Sequence, residues 1–217
     1  MKKKAQITMF VIIGLILILI VGFVLYLSRF NYELKVGDVT GFDTYFKSCI
    51  DSHIEQGIYQ MGLYSGYLSK PTRFEISSIE NSKTELSNYI QDHIKLCINN
   101  YPNNEKIKVD YNIPTIDIDI SDTIIVNIKD SYTYNINNEQ VTSPDLSYSY
   151  NVRYMTVYNT AKKIIQNDDK FIQDTDNLKQ DDLVIETSSV YDGQLWLITD
   201  KISKIKSDSF YFAFKKT

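Results

Sequence analysis

The 217-residue chain carries 23 lysines and arginines against 27 aspartates and glutamates. That length suits one folded domain beside a terminal extension and is short for two domains. Four of the cations and none of the acidic residues precede residue 30, which leaves 19 basic against 27 acidic side chains beyond it. Such an acidic domain repels phosphate backbones, which disfavours nucleic acid as a partner and favours neutral or basic proteins.

The N-terminal region contains an uncharged apolar run from Ile7 to Leu27. A helix over that run spans about 30 Å, the thickness of the hydrocarbon layer, and is longer than the apolar part of a secretory signal. We therefore predict one transmembrane helix over residues 6–28, through which the chain binds the lipid bilayer. The lysines before it leave residues 1–5 in the cytoplasm as a basic tip, and a linker over 29–41 leads to an extracellular domain over 42–217.

The start of this anchor permits a second interpretation. Three lysines followed by Ala5 and Gln6 resemble the signal of archaeal prepilins, which implies cleavage between those two residues and matches Thr8 to a small hydroxyl position. Pilins carry an acidic residue where Phe10 stands here, which argues against assembly into a filament. A passive tether is the simpler interpretation.

Two amphipathic helices are predicted at the start of the outer domain. Apolar residues recur at spacings of three and four from Phe42 to Gly62. Ser82 and Glu85 form a capping-box pattern that predicts the start of the second helix, and Asn99 to Pro102 predict its end. Neither helix covers its own apolar stripe, so we expect them to pack on each other or on a sheet.

Strands and a third helix follow. Period-two alternation and β-forming residues predict strands at 107–111, 116–120, 124–128, 131–136, 146–150, 183–186, 195–199 and 210–214. Ser121–Asp122 predicts a hairpin, Asn137–Asn138 predicts a turn between 131–136 and 146–150, and Val152–Gln166 is a predicted helix. The predicted fold class is α+β, with an antiparallel sheet that is polar on one face and carries amphipathic helices on the other.

The two cysteines and two histidines fall on the first two predicted helices. On the outer side of a membrane, Cys49 and Cys97 are expected to form a disulfide, and two buried free thiols are the simpler alternative. A third interpretation follows from spacing, because Cys49 and His53 lie four residues apart, as do His93 and Cys97. If those helix faces met, the four side chains would form a tetrahedral zinc site.

Other candidate sites are weaker. Gly62–Gly66 contains Ser65 but lacks the spacing of a nucleophile elbow. Asp117 and Asp119 share a strand face that would suit calcium, yet their alternation with buried isoleucines favours a solvated outer face. We predict no catalytic residue and no cofactor.

Short segments spread along most of the chain resemble a group of uncharacterised single-pass surface proteins from small-genome (DPANN-type) archaea. The segments are Lys3–Thr8, Ser48–Ile50, Gly62–Tyr67, Leu86–Ile90, Leu96–Ile98, Ile198–Asp200 and Phe210–Phe214. The resemblance implies an anchor and an outward domain with two cysteines in the same helices, and it implies no activity. We therefore expect a non-enzymatic surface protein whose ectodomain contacts another protein, a neighbouring copy or the cell envelope. The alternatives are a pilin-like component and an extracytoplasmic enzyme.

Overall fold

A computed structural model of the chain describes residues 20–22, 40–71, 75–102, 108–136, 139–166, 182–190 and 193–216. Contacts divide the chain into two compact units, residues 1–44 and 45–217. In the first unit, residues 20–22 are helical, and the Thr44 hydroxyl donates to the Thr40 carbonyl at 2.9 Å. None of the described helices is both long and apolar enough to cross a membrane. The rest of the predicted anchor, and residues 29–39 of the predicted linker, lie outside the described residues.

The first two predicted helices are present. Helix α1 covers residues 40–63, so it begins two residues before the predicted start, and α2 covers Ile79–Asn99. Their stripes are buried as the three- and four-residue spacing predicts, because that spacing places side chains on one helix face. The buried positions in the second unit are Phe46, Ile50, Ile54, Ile58 and Met61 on α1, and Leu86, Ile90, Ile94, Cys97 and Ile98 on α2.

The predicted start of α2 is wrong by one turn. The N-cap is Ser78, whose hydroxyl accepts a hydrogen bond from the Asn81 backbone N–H at 3.2 Å. Ser82 is buried inside the first turn and donates to the Ser78 carbonyl. Glu85 does not close a capping box, because its carboxylate accepts from the Leu68 backbone N–H at 2.8 Å and so fixes the loop that follows α1. Serines at both 78 and 82 made the boundary ambiguous in the sequence.

Within the described residues, the strands form three separate three-stranded antiparallel sheets where the sequence predicted one. Their orders are β1-β4-β5, β2-β3-β6 and β7-β8-β9. The strands are β1 (Val109–Tyr111), β2 (Thr115–Ile120), β3 (Ile124–Lys129), β4 (Tyr132–Ile136), β5 (Glu139–Thr142), β6 (Leu146–Tyr150), β7 (Leu183–Val190), β8 (Gly193–Ile205) and β9 (Asp208–Lys216). The α+β class and the antiparallel pairing are confirmed.

The central sheet, β2-β3-β6, has the predicted polar and apolar faces. The hairpin at Ser121–Asp122 is present, and Ile118 lies opposite Val126 in register while Asp117 lies opposite Asn127. Isoleucines and valine on the inner face are buried, and the aspartates opposite them are exposed. The Tyr148 hydroxyl donates to the Lys47 carbonyl at 3.2 Å, so α1 lies against this sheet at β6, while α2 contacts β2.

The predicted partner of strand 131–136 is wrong. β4 pairs with β5, the short strand Glu139–Thr142, and not with β6. β6 pairs instead with β3. The turn residues Asn137 and Asn138 lie outside the described residues. The strand β5 was missed because its four residues, Glu-Gln-Val-Thr, show too little alternation to be recognised.

The C-terminal sheet is longer than predicted and carries the third helix. Helix α3 (Tyr154–Gln166) packs on β8 and β9, and the Tyr154 ring meets the Phe212 ring edge-on at 5.8 Å. β8 has 13 residues, with an irregular register between Asp200 and Lys204. A tight turn joins β8 to β9 through Lys206 and Ser207, both at positive φ. Two consecutive residues at positive φ form a type I′ turn, whose backbone twist matches the twist of the two flanking strands. Asn-Gly is the usual sequence of such a turn.

Candidate functional site

The best-defined cluster of chemically reactive side chains among the described residues lies between α1 and α2. Residues four apart share a helix face, so Cys49 and His53 project together from α1, and His93 and Cys97 from α2. The apolar stripes press these faces together, which brings Cys49 to Cys97 and His53 to His93. The sequence therefore identified the members of this cluster, and the structure confirms that they meet.

Cys49 and Cys97 form a disulfide bond that closes a 48-residue separation, with 6.0 Å between their Cα atoms. Of the three interpretations left open by the sequence, the disulfide is the one present, and neither cysteine is free. Cys97 is fully buried, while Cys49 is partly exposed. The bond therefore fixes the two helices to each other at a point that solvent reaches from one side.

The two histidine rings lie against each other beside the disulfide, with 4.2 Å between their centroids and their planes tilted by 45°. His93 also lies against the Tyr89 ring, at 3.9 Å, and its Nδ1 is 2.7 Å from the Tyr89 carbonyl oxygen. A carbonyl oxygen only accepts, so Nδ1 donates this hydrogen bond, and in the neutral ring the lone pair is on Nε2. The site therefore presents one imidazole whose tautomer is set by the backbone.

The surroundings of His53 disfavour its charged, protonated form. Burial lowers its pKa below the ordinary value, and the nearby His93 and Lys206 lower it further because they disfavour a second positive charge. Its Nδ1 is buried and makes no hydrogen bond to any described residue. A buried nitrogen without a hydrogen-bond partner costs free energy.

The donor atoms are close enough to be compared with a metal centre. One ligand atom from each of Cys49, His53 and Cys97 lies within 4.8 Å of the others. Zinc binds cysteine as the thiolate, whereas both sulfurs are here bonded to each other. The disulfide and the predicted zinc site of Cys49, His53, His93 and Cys97 therefore exclude each other, and the structure has the disulfide.

The remaining sequence motifs serve structural roles in the described part of the chain. The Ser65 hydroxyl donates to the Ala213 carbonyl at 2.7 Å, so it ties the end of α1 to β9 and is not presented as a nucleophile. Asp122 accepts from both the backbone N–H and the hydroxyl of Thr156, which caps the start of α3. Asp117 lines an open groove of about 370 Å³ on the outer face of the central sheet.

The sequence analysis missed a buried polar cluster under α3. Asp200 is fully buried and accepts two hydrogen bonds from the Arg153 guanidinium, at 3.0 and 2.6 Å. Ser203 donates to the Asp200 carboxylate and accepts from the Arg153 backbone N–H, and the Ile202 N–H adds a further bond. These residues lie up to 50 positions apart, so no local pattern marks them.

Two tyrosines join α1 to the central sheet. The Tyr150 hydroxyl donates to the Asp51 carboxylate at 2.6 Å. Burial, that hydrogen bond and the negative charge of Asp51 all raise the pKa of Tyr150 far above its ordinary value. Burial and Asp51 also raise the pKa of Tyr148. These hydroxyls are therefore permanent donors that fasten the helix, and they are not candidates for acid–base chemistry near neutral pH.

The fold and the cluster define a disulfide-bonded α+β domain with three antiparallel sheets and a dihistidine pair beside its disulfide. Comparisons of the chain with protein-family models, with curated proteins and with solved structures found no match. The resemblance to surface proteins of small-genome archaea therefore stays a prediction.

Proposed function

We propose that this chain is a membrane-anchored surface protein whose domain, residues 42–217, lies outside the cell and mediates contact with other proteins. The observation that carries the proposal is the disulfide between Cys49 and Cys97. Structural disulfides persist in oxidising compartments and are rare in the cytosol. Together with the apolar run at Ile7–Leu27 and the lysines before it, the bond supports an extracellular domain on a single anchor.

The shape of the described surface supports contact over catalysis. The grooves at the central and C-terminal sheets are open clefts lined by strand residues. The groups with shifted pKa values, among them His53, Tyr150 and Asp200, lie elsewhere, in packed contacts between elements. Enzyme sites usually combine a concave pocket with such groups.

The contact surface that fits best is the outer edge of β7. In the described part of the chain β7 pairs only with β8, and its residues from Glu186 to Val190 are exposed. Proteins commonly protect an open sheet edge with lysine, proline or a bulge. The β7 sequence Leu-Val-Ile-Glu-Thr-Ser-Ser-Val contains neither lysine nor proline. An unprotected edge accepts an extended segment of a partner by strand addition. The acidic charge of the domain favours a neutral or basic segment.

The proposal is tested on intact cells that make the full chain. Protease added outside is expected to degrade the domain, and a photoreactive amino acid at Ser188 is expected to crosslink an identifiable envelope protein or a second copy. The matched control places the same amino acid at Asp119, which is exposed on the outer face of the central sheet. Protection from protease would overturn the surface location, and equal capture from both positions would overturn the β7 edge.

The mature N-terminus separates the tether from the prepilin-like alternative. A chain that begins at Met1 or Lys2 is expected for a tether, whereas one that begins at Gln6 indicates processing. The residues concerned lie outside the described part of the structure, so N-terminal sequencing of the purified protein is the direct measurement.

A further inference from the structure

We propose that the cluster between α1 and α2 is also a metal site that becomes available when the disulfide is reduced. In that state Cys49, Cys97 and His53 would bind one divalent cation of the zinc type, and His93 or a water molecule would complete a tetrahedron. This inference concerns the redox state of the domain and does not depend on the function proposed above.

The distances require only small movements. In a tetrahedral zinc centre the bonds to sulfur and nitrogen are about 2.3 and 2.0 Å, which places neighbouring ligand atoms roughly 3.3–3.8 Å apart. The ligand atoms of Cys49, His53 and Cys97 already lie within 4.8 Å of one another. On reduction the sulfurs are no longer bonded, and rotation of the two cysteine side chains on fixed helices can bring them to the separation of zinc ligands, about 3.8 Å.

The histidines are prepared to act as ligands. His53 has a buried Nδ1 with no hydrogen-bond partner among the described residues, and it lies on the helix face that it shares with Cys49. His93 donates from Nδ1 to the Tyr89 carbonyl, the arrangement that commonly orients a metal-binding histidine and leaves Nε2 free. A cation would bind the lone pair of the His53 ring nitrogen that now has no hydrogen-bond partner among the described residues.

Reduction of the Cys49–Cys97 disulfide to two thiols requires an electron pair and two protons. A water-soluble phosphine gives an electron pair to the disulfide and becomes its oxide, taking the oxygen of one water molecule, while the two protons of that water end on the sulfurs. Metal binding then releases one proton from each thiol, because the thiolate is the ligand. Chains are made in the reduced form, so the metal would hold α1 and α2 together before the disulfide closes.

The test uses Co²⁺ as the probe and the full chain in detergent, with and without phosphine. The reduced chain is expected to bind one Co²⁺ with the visible bands of a tetrahedral site and the near-ultraviolet band of thiolate ligation, and one equivalent of Zn²⁺ is expected to displace it. The oxidised chain is expected to show neither band. Zinc is also expected to protect both thiols of the reduced chain from alkylation.

The His53→Ala variant is expected to lose at least about tenfold in Co²⁺ affinity. Loss of a residue that only hydrogen-bonds to a metal ligand already lowers metal affinity about 10–100-fold, and His53 is itself a proposed ligand. Asp92→Asn is the matched control, because Asp92 is exposed on α2 beside His93 and outside the cluster, and it is expected to bind as the wild type does. If the reduced chain loses helical circular dichroism, zinc is expected to restore it. Identical cobalt spectra and affinity in His53→Ala, or no cobalt binding by the reduced chain, would overturn the proposal.

Discussion

Two regions of the domain fasten their helices by different means. α1 and α2 are joined by a covalent bond, Cys49–Cys97, beside the two tilted imidazoles of His53 and His93. α3 is fastened to the C-terminal sheet by a buried ion pair, Arg153 with Asp200, and by the Ser203 hydroxyl. A covalent link resists acid and denaturant but yields to reductant, whereas an ion pair ignores reductant and depends on pH. The two regions should therefore fail under different conditions.

The surrounding structure explains where the disulfide and the Arg153–Asp200 ion pair form. The disulfide needs only two helix faces in contact, which the apolar stripes provide. The ion pair needs an irregular strand, because the altered register of β8 between Asp200 and Lys204 brings the Ile202 N–H to the Asp200 carboxylate. A buried carboxylate is tolerated only when such bonds replace its water. Here the strand irregularity supplies part of the replacement.

The largest effect is expected from Asp200→Ala, which breaks the polar fastening. It leaves the Arg153 guanidinium and the Ser203 hydroxyl without the acceptor they now share, and the expected loss in the free energy of unfolding is about 3–5 kcal/mol. Urea unfolding followed by circular dichroism measures it. The control combines Arg153→Met with Asp200→Leu, which removes both charges and is expected to recover much of the loss. A double variant no more stable than Asp200→Ala would contradict the ion-pair explanation.

The same cluster predicts a dependence on pH. Burial by itself raises the pKa of Asp200, but bonds from Arg153, Ser203 and the Ile202 N–H outweigh it and bring the pKa below the ordinary 3.8. A carboxyl with a lower pKa in the folded state contributes stability that is complete above about pH 4 and is lost as the pH falls through the folded value. Asp200→Asn is expected to flatten the unfolding profile in that acidic range. An unchanged slope would show that other carboxyls dominate.

The covalent fastening is tested by replacing both cysteines with alanine. A loop of 48 residues gives at most about 4 kcal/mol in the chain-entropy account, and we expect a loss of about 2–4 kcal/mol. Unfolding of the wild type with reductant and without added metal is the matched comparison, and it should fall to a similar value. Reductant should leave the double variant unchanged. A double variant as stable as the oxidised wild type would show that the helix stripes alone hold the pair.

The two regions also differ in how far the sequence predicted them. Both helices and the meeting of Cys49 with Cys97 followed from spacing, because helix faces repeat every three to four residues and two apolar stripes seek each other. The Arg153–Asp200 pair could not be predicted, since its members are 47 positions apart and depend on the register of β8. For the same reason, most strand positions could be predicted from the sequence, whereas the partner of β4 and the division into three sheets could not. The Lys206–Ser207 turn was missed because neither residue is typical of positive φ.

A smaller effect is expected where the end of α1 meets the C-terminal sheet. A Cβ built on Gly62 would lie 2.1 Å from the Tyr211 carbonyl oxygen and 2.8 Å from the Phe210 ring, so Gly62→Ala must push α1 away from β9. The expected loss is about 1–3 kcal/mol. Gly57→Ala is the matched control on the same helix, because its new Cβ would meet only side-chain atoms, the end of Leu86 at 2.7 Å and the Tyr89 ring at 3.3 Å. Alanine is favoured over glycine in a helix at both sites, so the difference between the variants isolates the contact with β9.

The smallest expected effect concerns the N-cap of α2. It tests how much this cap contributes to the stability of the domain when the disulfide is present. Ser78→Ala removes the acceptor for the Asn81 N–H and is expected to cost about 1 kcal/mol, while Ser78→Asp restores an acceptor and is expected to cost little. Urea unfolding of both variants, each in oxidised and reduced chains, measures the effect. If Ser82 were the cap, as the sequence indicated, Ser78→Ala would leave the stability unchanged.

Equal losses in the oxidised and reduced chains are expected, because the cap lies 19 residues from Cys97 and shares no partner with it. A loss seen only after reduction would mean instead that the covalent bond compensates for a frayed start, and that the two fastenings of the domain are less independent than their chemistry suggests.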